Sequence, residues 1–218
     1  MYGRGAGSIG CGLGKAELQA ANQPASTSNT KRRIAMANVL KLNPVGIDKP
    51  ITDLQAYLYG QLKAKWNLSD SNFTMYGRAY NNATQDGYAP EVYVGNNEYN
   101  EVFYDDRVFA SSFFGKGEET KINATTVIAD VFLIFMLNLT YIKPGINRND
   151  EECHVDVQQL ITPIWGTFTC TGIITGIDKV FAEYSGWRKN KAIKFTDTHP
   201  QHIFRLNFKL LYNPYKNC

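Results

Sequence analysis

The residues of this chain that could do chemistry begin with a glycine pattern. Gly5, Gly7 and Gly10 stand at G-x-G-x-x-G spacing, with Gly14-Lys15 behind them like the end of a phosphate-binding loop. Such a loop works because a strand delivers the glycines and a helix opens after them, so that backbone N–H groups converge on an anion. The four residues before Gly5 are too few for that strand, and Ala16 stands where a Ser or Thr hydroxyl would hold a metal. The reading is a glycine-rich tail that binds no nucleotide.

Metal and nucleophile chemistry fare no better. His199 and His202 have H-x-x-H spacing, and Cys170 could complete a zinc site, but Pro200 lies between the two histidines where a ligand pair of this spacing needs a helix or tight loop. THPQH reads as a turn leading into the final strand. Cys153, His154 and Asp156 suggest a thiol–imidazole pair, yet neighbours on a helix point about 100° apart and cannot form a dyad; Cys153 reads as a core position. Glu98, Glu101, Asp105 and Asp106 alternate with Tyr99, Phe103 and Tyr104, the pattern of a hairpin's solvent face rather than of carboxylates converging on a cation. Lys31-Arg32-Arg33 could hold a phosphate backbone, each contact adding salt-dependent affinity, or form a charged, solvated linker. The expectation is a chain that is not an enzyme, with no catalytic residues, no metal and no cofactor.

The elements that would position these residues are legible from periodicity. After Pro44, IDKPITDLQAYLYGQLKAKW places Ile51, Leu54, Leu58, Leu62 and Trp66 at helical spacing, with Asp48 near the start and Pro50 in the first turn. From Phe73 to Phe114 the text is Tyr-rich and β-like, broken by Asn, Asp and Gly turns. TTVIADVFLIFMLNLTYI is apolar on both phases, and its β-branched and aromatic content favours a strand buried on two faces over a helix. NDEECHVDVQQLI predicts a helix with Cys153, Val157, Leu160 and Ile161 as its apolar stripe. GIDKVFAEYSGW predicts a short helix stopped at Gly186. In HIFRLNFKLLY, Phe204, Leu206, Phe208, Leu210 and Tyr212 alternate with Arg205, Asn207 and Lys209, so one face meets the core and the other meets water or a partner.

These elements make an α+β fold: a mostly antiparallel sheet packed against two or three helices, with a β-rich insertion over 73–114. Residues 47–218 form one domain, and residues 1–46 form a flexible basic arm. That arm holds Tyr2 as its one aromatic and six basic side chains against one acid, whereas the rest of the chain holds 17 basic and 19 acidic residues, so the net charge of +3 over 218 residues conceals a positive tail. Composition this polar cannot bury enough apolar area to offset the entropy of ordering. Met36 offers an alternative start of translation. The cysteines Cys11, Cys153, Cys170 and Cys218 show no paired spacing and read as free thiols. The five N-x-[ST] sequons read as chance matches in an Asn-rich chain, and the longest apolar run, VFLIFML, is far short of the ~20 residues of a membrane helix. A soluble protein with no membrane partner is expected.

The order NPVGID, P-I-x-x-L-Q-x-x-L-Y-x-x-L before Trp66, YGRAY, PEVYVG, EVFYDD, ADVFLIFMLNL with EECHVDVQQL, and FRLNFKLLY resembles the ring proteins in the neck and tail of crAss-like tailed bacteriophages, over residues 38–215. The last third is similar to tail-terminator and head-completion proteins, from whose small subunits the 73–114 insertion departs. The resemblance implies a structural role in the virion neck or tail, in a protein made in the bacterial host cytoplasm. It implies a closed ring of this chain, six- or twelve-fold, on a portal or an adjacent ring or tail protein, with DNA passing nearby through the lumen. The arm would then lock the ring, with Lys31, Arg32, Arg33, Ile34, Val39, Leu40 and Leu42 as contact residues. The alternative is a nucleic-acid-binding or metal-dependent nucleic-acid-processing protein that uses the basic arm and the acidic hairpin.

Overall fold

The computed structural model describes residues 38–102, 108–145, 148–161, 167–189 and 198–215. In chain order the elements are β1 (Asn38–Val39), α1 (Asp48–Lys65), β2 (Phe73–Arg78), β3 (Tyr80–Thr84), β4 (Gly87–Gly95), β5 (Glu98–Glu101), β6 (Ala110–Lys121), β7 (Val127–Asn138), α2 (Leu139–Ile142), α3 (Asp150–Ile161), β8 (Phe168–Thr175), α4 (Ile177–Val180), a 3-10 turn (Ala182–Tyr184), α5 (Ser185–Lys189) and β9 (Gln201–Tyr212). Six strands make the main sheet, in the order β1-β2-β6-β7-β9-β8, and β3-β4-β5 make a separate small one. The main sheet is antiparallel from β6 to β8, while β1, β2 and β6 run parallel. The expected α+β class, a mostly antiparallel sheet with helices packed on it, is what the chain adopts.

The main sheet carries apolar layers on both faces. On one, the α1 stripe Ile51, Leu54, Leu58, Leu62 and Trp66 and the α3 residues Cys153, Val157 and Ile161 pack against Leu133, Phe135, Phe204, Leu206 and Phe208. On the other, Phe132, Ile134, Met136 and Ile203 meet Val92 and Val102 of the small-sheet region and Phe181, Tyr184 and Trp187 from the C-terminal turns. β7 therefore lies between two cores. That is why VFLIFML does not alternate: a strand covered on both sides has no polar phase to display.

Several boundaries differ from the sequence expectation. Residues 38–46, assigned above to the arm, include β1, whose Val39 is buried beside β2. The buried Gln55 amide of α1 holds that strand, donating to Asn38 Oδ1 at 2.9 Å, Val39 O at 3.2 Å and Met75 O at 2.8 Å. Within the 73–114 insertion, β2 and the start of β6 belong to the main sheet, and only β3 to β5 stand apart. The helix expected to end at Gly186 is instead α4, a 3-10 turn and α5, and α5 runs through Gly186. Glycine is required there by close approach rather than termination: a Cβ on Gly186 would lie 2.3 Å from Thr84 Oγ1 and 2.8 Å from the Gly87 carbonyl carbon. The tip of the β3–β4 hairpin is seated on the start of α5 at that point.

Candidate functional site

Gly5, Gly7, Gly10, Gly14 and Lys15 lie outside the described residues. His202 and Cys170 do not converge: in the β9 ladder His202 stands opposite Leu137, while Cys170 pairs with Phe208 six residues further on, roughly 20 Å away at strand rise. No cluster of three metal-ligating side chains occurs among the described residues. His202 instead meets a partner that sequence reasoning missed. His154 Nε2 and His202 Nε2 are 2.9 Å apart, one donating and the other accepting, with both rings buried and Glu151 reaching His154 Nδ1 at 3.3 Å. The pair fastens α3 to β9, across 48 residues of sequence. Cys153 has no exposed surface, and burial pushes its thiol pKa up to about 12, so its thiolate is not available as a nucleophile.

The densest polar cluster sits where α1 begins. Asp48, 5% exposed, accepts from Arg78 Nε at 2.5 Å, Lys41 Nζ at 2.6 Å and Tyr80 Oη at 2.9 Å. Burial works against the carboxylate, but the hydrogen bonds and charges of Arg78 and Lys41 outweigh it and hold the Asp48 pKa below its ordinary value. Arg78 also lies 4.1 Å over the Tyr80 ring. The cavity beside the cluster is about 10 Å³, room for one water at most. A second such joint surrounds Asp156, which accepts from Trp66 Nε1 at 2.8 Å and pairs with Lys143 at 2.9 Å and Lys65 at 3.1 Å. The Asp48 cluster ties α1 to β2 and β3, and the Asp156 cluster ties α3 to the ends of α1 and α2.

The surface features are of another kind. An open groove of about 440 Å³ runs between the start of α1 and the end of β9, lined by Gly46, Lys49, Pro50, Asp53, Leu211 and Tyr212 among others. Exposed apolar side chains neighbour it in the chain: Val45 is 54% exposed and Leu211 47%. Of the expected contact residues, Leu42 is 74% exposed and Leu40 38%, whereas Val39 is spent inside its own sheet; Lys31, Arg32, Arg33 and Ile34 lie outside the described residues. Glu98 and Glu101 are exposed on β5, as the hairpin reading expects, and Asp105 and Asp106 lie outside the described residues. No helix among the described residues is long and apolar enough to cross a membrane. Comparison of the chain with models of known protein families, with curated proteins and with solved structures finds no match.

Proposed function

We propose that the chain is a structural virion protein, a subunit that assembles into a closed ring in the head-to-tail connector or tail of a bacteriophage, around a lumen through which DNA passes. The observation that carries this reading is where the resembling segments fall. PITDLQAYLYGQL, ADVFLIFMLNL and FRLNFKLLY lie in α1, β7 and β9, so the likeness to crAss-like ring proteins rests on the framework of the domain. The surface supports it: Leu42, Val45, Leu211 and Tyr215 are half or more exposed, or nearly so, an expenditure of apolar side chains that suits contact with other subunits. Subunits joined through unlike surfaces form a ring when the rotation closes, and the further partners are a portal or an adjacent ring or tail protein.

Electron microscopy of the purified full chain, alone and mixed with a portal protein, tests this. Closed rings of six or twelve copies, or a ring formed on the portal, are expected. A chain that stays monomeric in both settings while cleaving DNA with a divalent cation would overturn the reading in favour of nucleic-acid processing.

A further inference from the structure

We propose that the outer surface of the β3–β5 sheet is the docking surface for residues 1–37 of a second copy of this chain. The inference deepens the ring reading and rests on it. Residues 79–102, which contain the whole small sheet, hold Asp86, Glu91, Glu98 and Glu101 and not one Lys or Arg. No ion pair joins any of these four to a cation among the described residues, although most other carboxylates of the domain have one. Residues 1–37 carry the complementary charge, with Arg4, Lys15, Lys31, Arg32 and Arg33 against Glu17.

The register adds an independent sign. Glu91 stands directly opposite Glu101 across the β4–β5 ladder, an arrangement in which like charges destabilise a sheet. A cationic segment lying over that pair would relieve the repulsion. By the alternation of the ladder Tyr99 shares the face of this pair and is 36% exposed, aromatic surface of the kind enriched at protein interfaces. The occupant suits such a surface: Gly5 to Gly14 lets a backbone lie close over tyrosine rings, and a chain of 37 residues reaches up to about 120 Å when extended, enough to cross to a neighbour.

The test mixes full-length protein grown in heavy and light nitrogen, joins amines to carboxylates with a zero-length cross-linker, and sorts the linked peptides by isotope. Links from Lys15 or Lys31 to Glu91, Glu98 or Glu101 that pair a heavy with a light peptide are expected. Links only within one copy, or none to residues 79–102, overturn the proposal. Native mass spectrometry of the same sample separates the two readings. Rings without these links leave the ring reading standing and sink the docking surface, and monomers at every concentration, alone and with a portal protein, sink both.

A charge swap guards against misfolding of a single variant. The triple change K31E/R32E/R33E should weaken association at least about fivefold at low salt, and adding E91K/E98K/E101K should restore it. Glu101→Gln alone should leave the melting temperature of the chain equal or higher while weakening association. Failure of the swap to restore association in a variant with unchanged circular dichroism counts against the proposal.

Discussion

Replacing Asp48 by Asn keeps the volume at the start of α1 and removes the one negative charge between Arg78 and Lys41. Wild-type Asp48 accepts two charge-assisted hydrogen bonds, at 2.5 and 2.6 Å, and one from the Tyr80 hydroxyl. Hydrogen bonds to charged groups contribute about 1.5–3 kcal/mol each against about 0.5–1.5 for neutral ones, so two of them weakened cost about 2–4 kcal/mol. The cations are not fully desolvated: the Lys41 side chain is 30% exposed and that of Arg78 19%. Water therefore takes back part of the loss, and about 2–3 kcal/mol is the expected destabilisation, or about 4–12 °C in melting temperature for a domain of this size. The sign with pH follows from the lowered Asp48 pKa. The unfolded chain binds a proton at this site more readily than the native one, so the stabilisation is present above the unfolded value of about 3.9 and is lost as pH falls through the native value. Urea unfolding of wild type and Asp48→Asn at a series of pH values reads this directly: the two curves should stand apart near neutrality and converge in acid. A difference below about 1 kcal/mol near neutrality, or one that does not shrink in acid, refutes the reasoning.

Phe208→Ala, on the core face of β9 where Phe208 is 2% exposed, should cost about 3–5 kcal/mol by urea unfolding, and a cost below about 1 kcal/mol would mean that the face is wrong. Gly115→Ala should cost about 1–3 kcal/mol by thermal melting, because the new Cβ would lie 2.1 Å from ring carbons of Phe132 and the far side of that ring is held by Arg205 at 3.8 Å; an unchanged melting temperature would show the ring free to move. A chain begun at Met36 should melt within a few degrees of the full chain, since β1 and its Gln55 bonds are kept, while incorporation into virions should fall. A chain begun at Ile47 should lose a further 1–3 kcal/mol or so, as the buried Gln55 amide is left short of partners and Asp48 loses Lys41, and equal melting of the two shortened chains would refute a stabilising role for residues 36–46.

What the sequence displayed well were elements whose environment is uniform along their length. α1 has one apolar face against one sheet, so its five core positions recur at helical spacing and all are 3% exposed or less. In α3, Cys153, Val157 and Ile161 are buried as expected, while Leu160 is half-buried and the polar His154 and Asp156 are buried. What it hid were relations between distant segments. The His154–His202 contact joins residues 48 apart, and nothing local marks either histidine as the partner of the other. Gln55, in the middle of an otherwise apolar helix face, carries only the weak signal of a polar residue at a core phase, and its meaning appears once two backbone carbonyls are brought to it. Asp48 looked like a helix-start residue and proved to be the hub of an ion cluster, because Arg78 and Tyr80 reach it from the two sides of the β2–β3 connection. Gly186 looked like a stop signal for the same reason: a glycine demanded by close packing and one demanded by a helix end are the same letter.

β9 shows how far a correct period can still mislead about surroundings. Phe204, Leu206, Phe208 and Leu210 face the helices throughout, but the opposite residues meet a graded environment: Ile203 is buried, Arg205 and Asn207 are intermediate, and Lys209 and Leu211 are exposed. β7 follows the same gradient through the register, with Met136 opposite Ile203, Ile134 opposite Arg205 and Asp130 opposite Lys209. The layer built from the small sheet and the C-terminal turns therefore covers half the length of the main sheet and stops. At its margin Arg205 reaches over Phe132 to Glu183 at 2.5 Å, closing the core with a charge that still meets solvent, as long cationic side chains do. The small sheet is pinned to α5 from both ends, by the Gly87–Gly186 approach at one hairpin tip and by Trp187 Nε1 donating to Val102 O at 3.0 Å beyond β5. Held so, Glu91 and Glu101 keep fixed positions on one face of the small sheet, and a fixed pair of charges discriminates among partners better than a mobile one because less ordering entropy opposes docking.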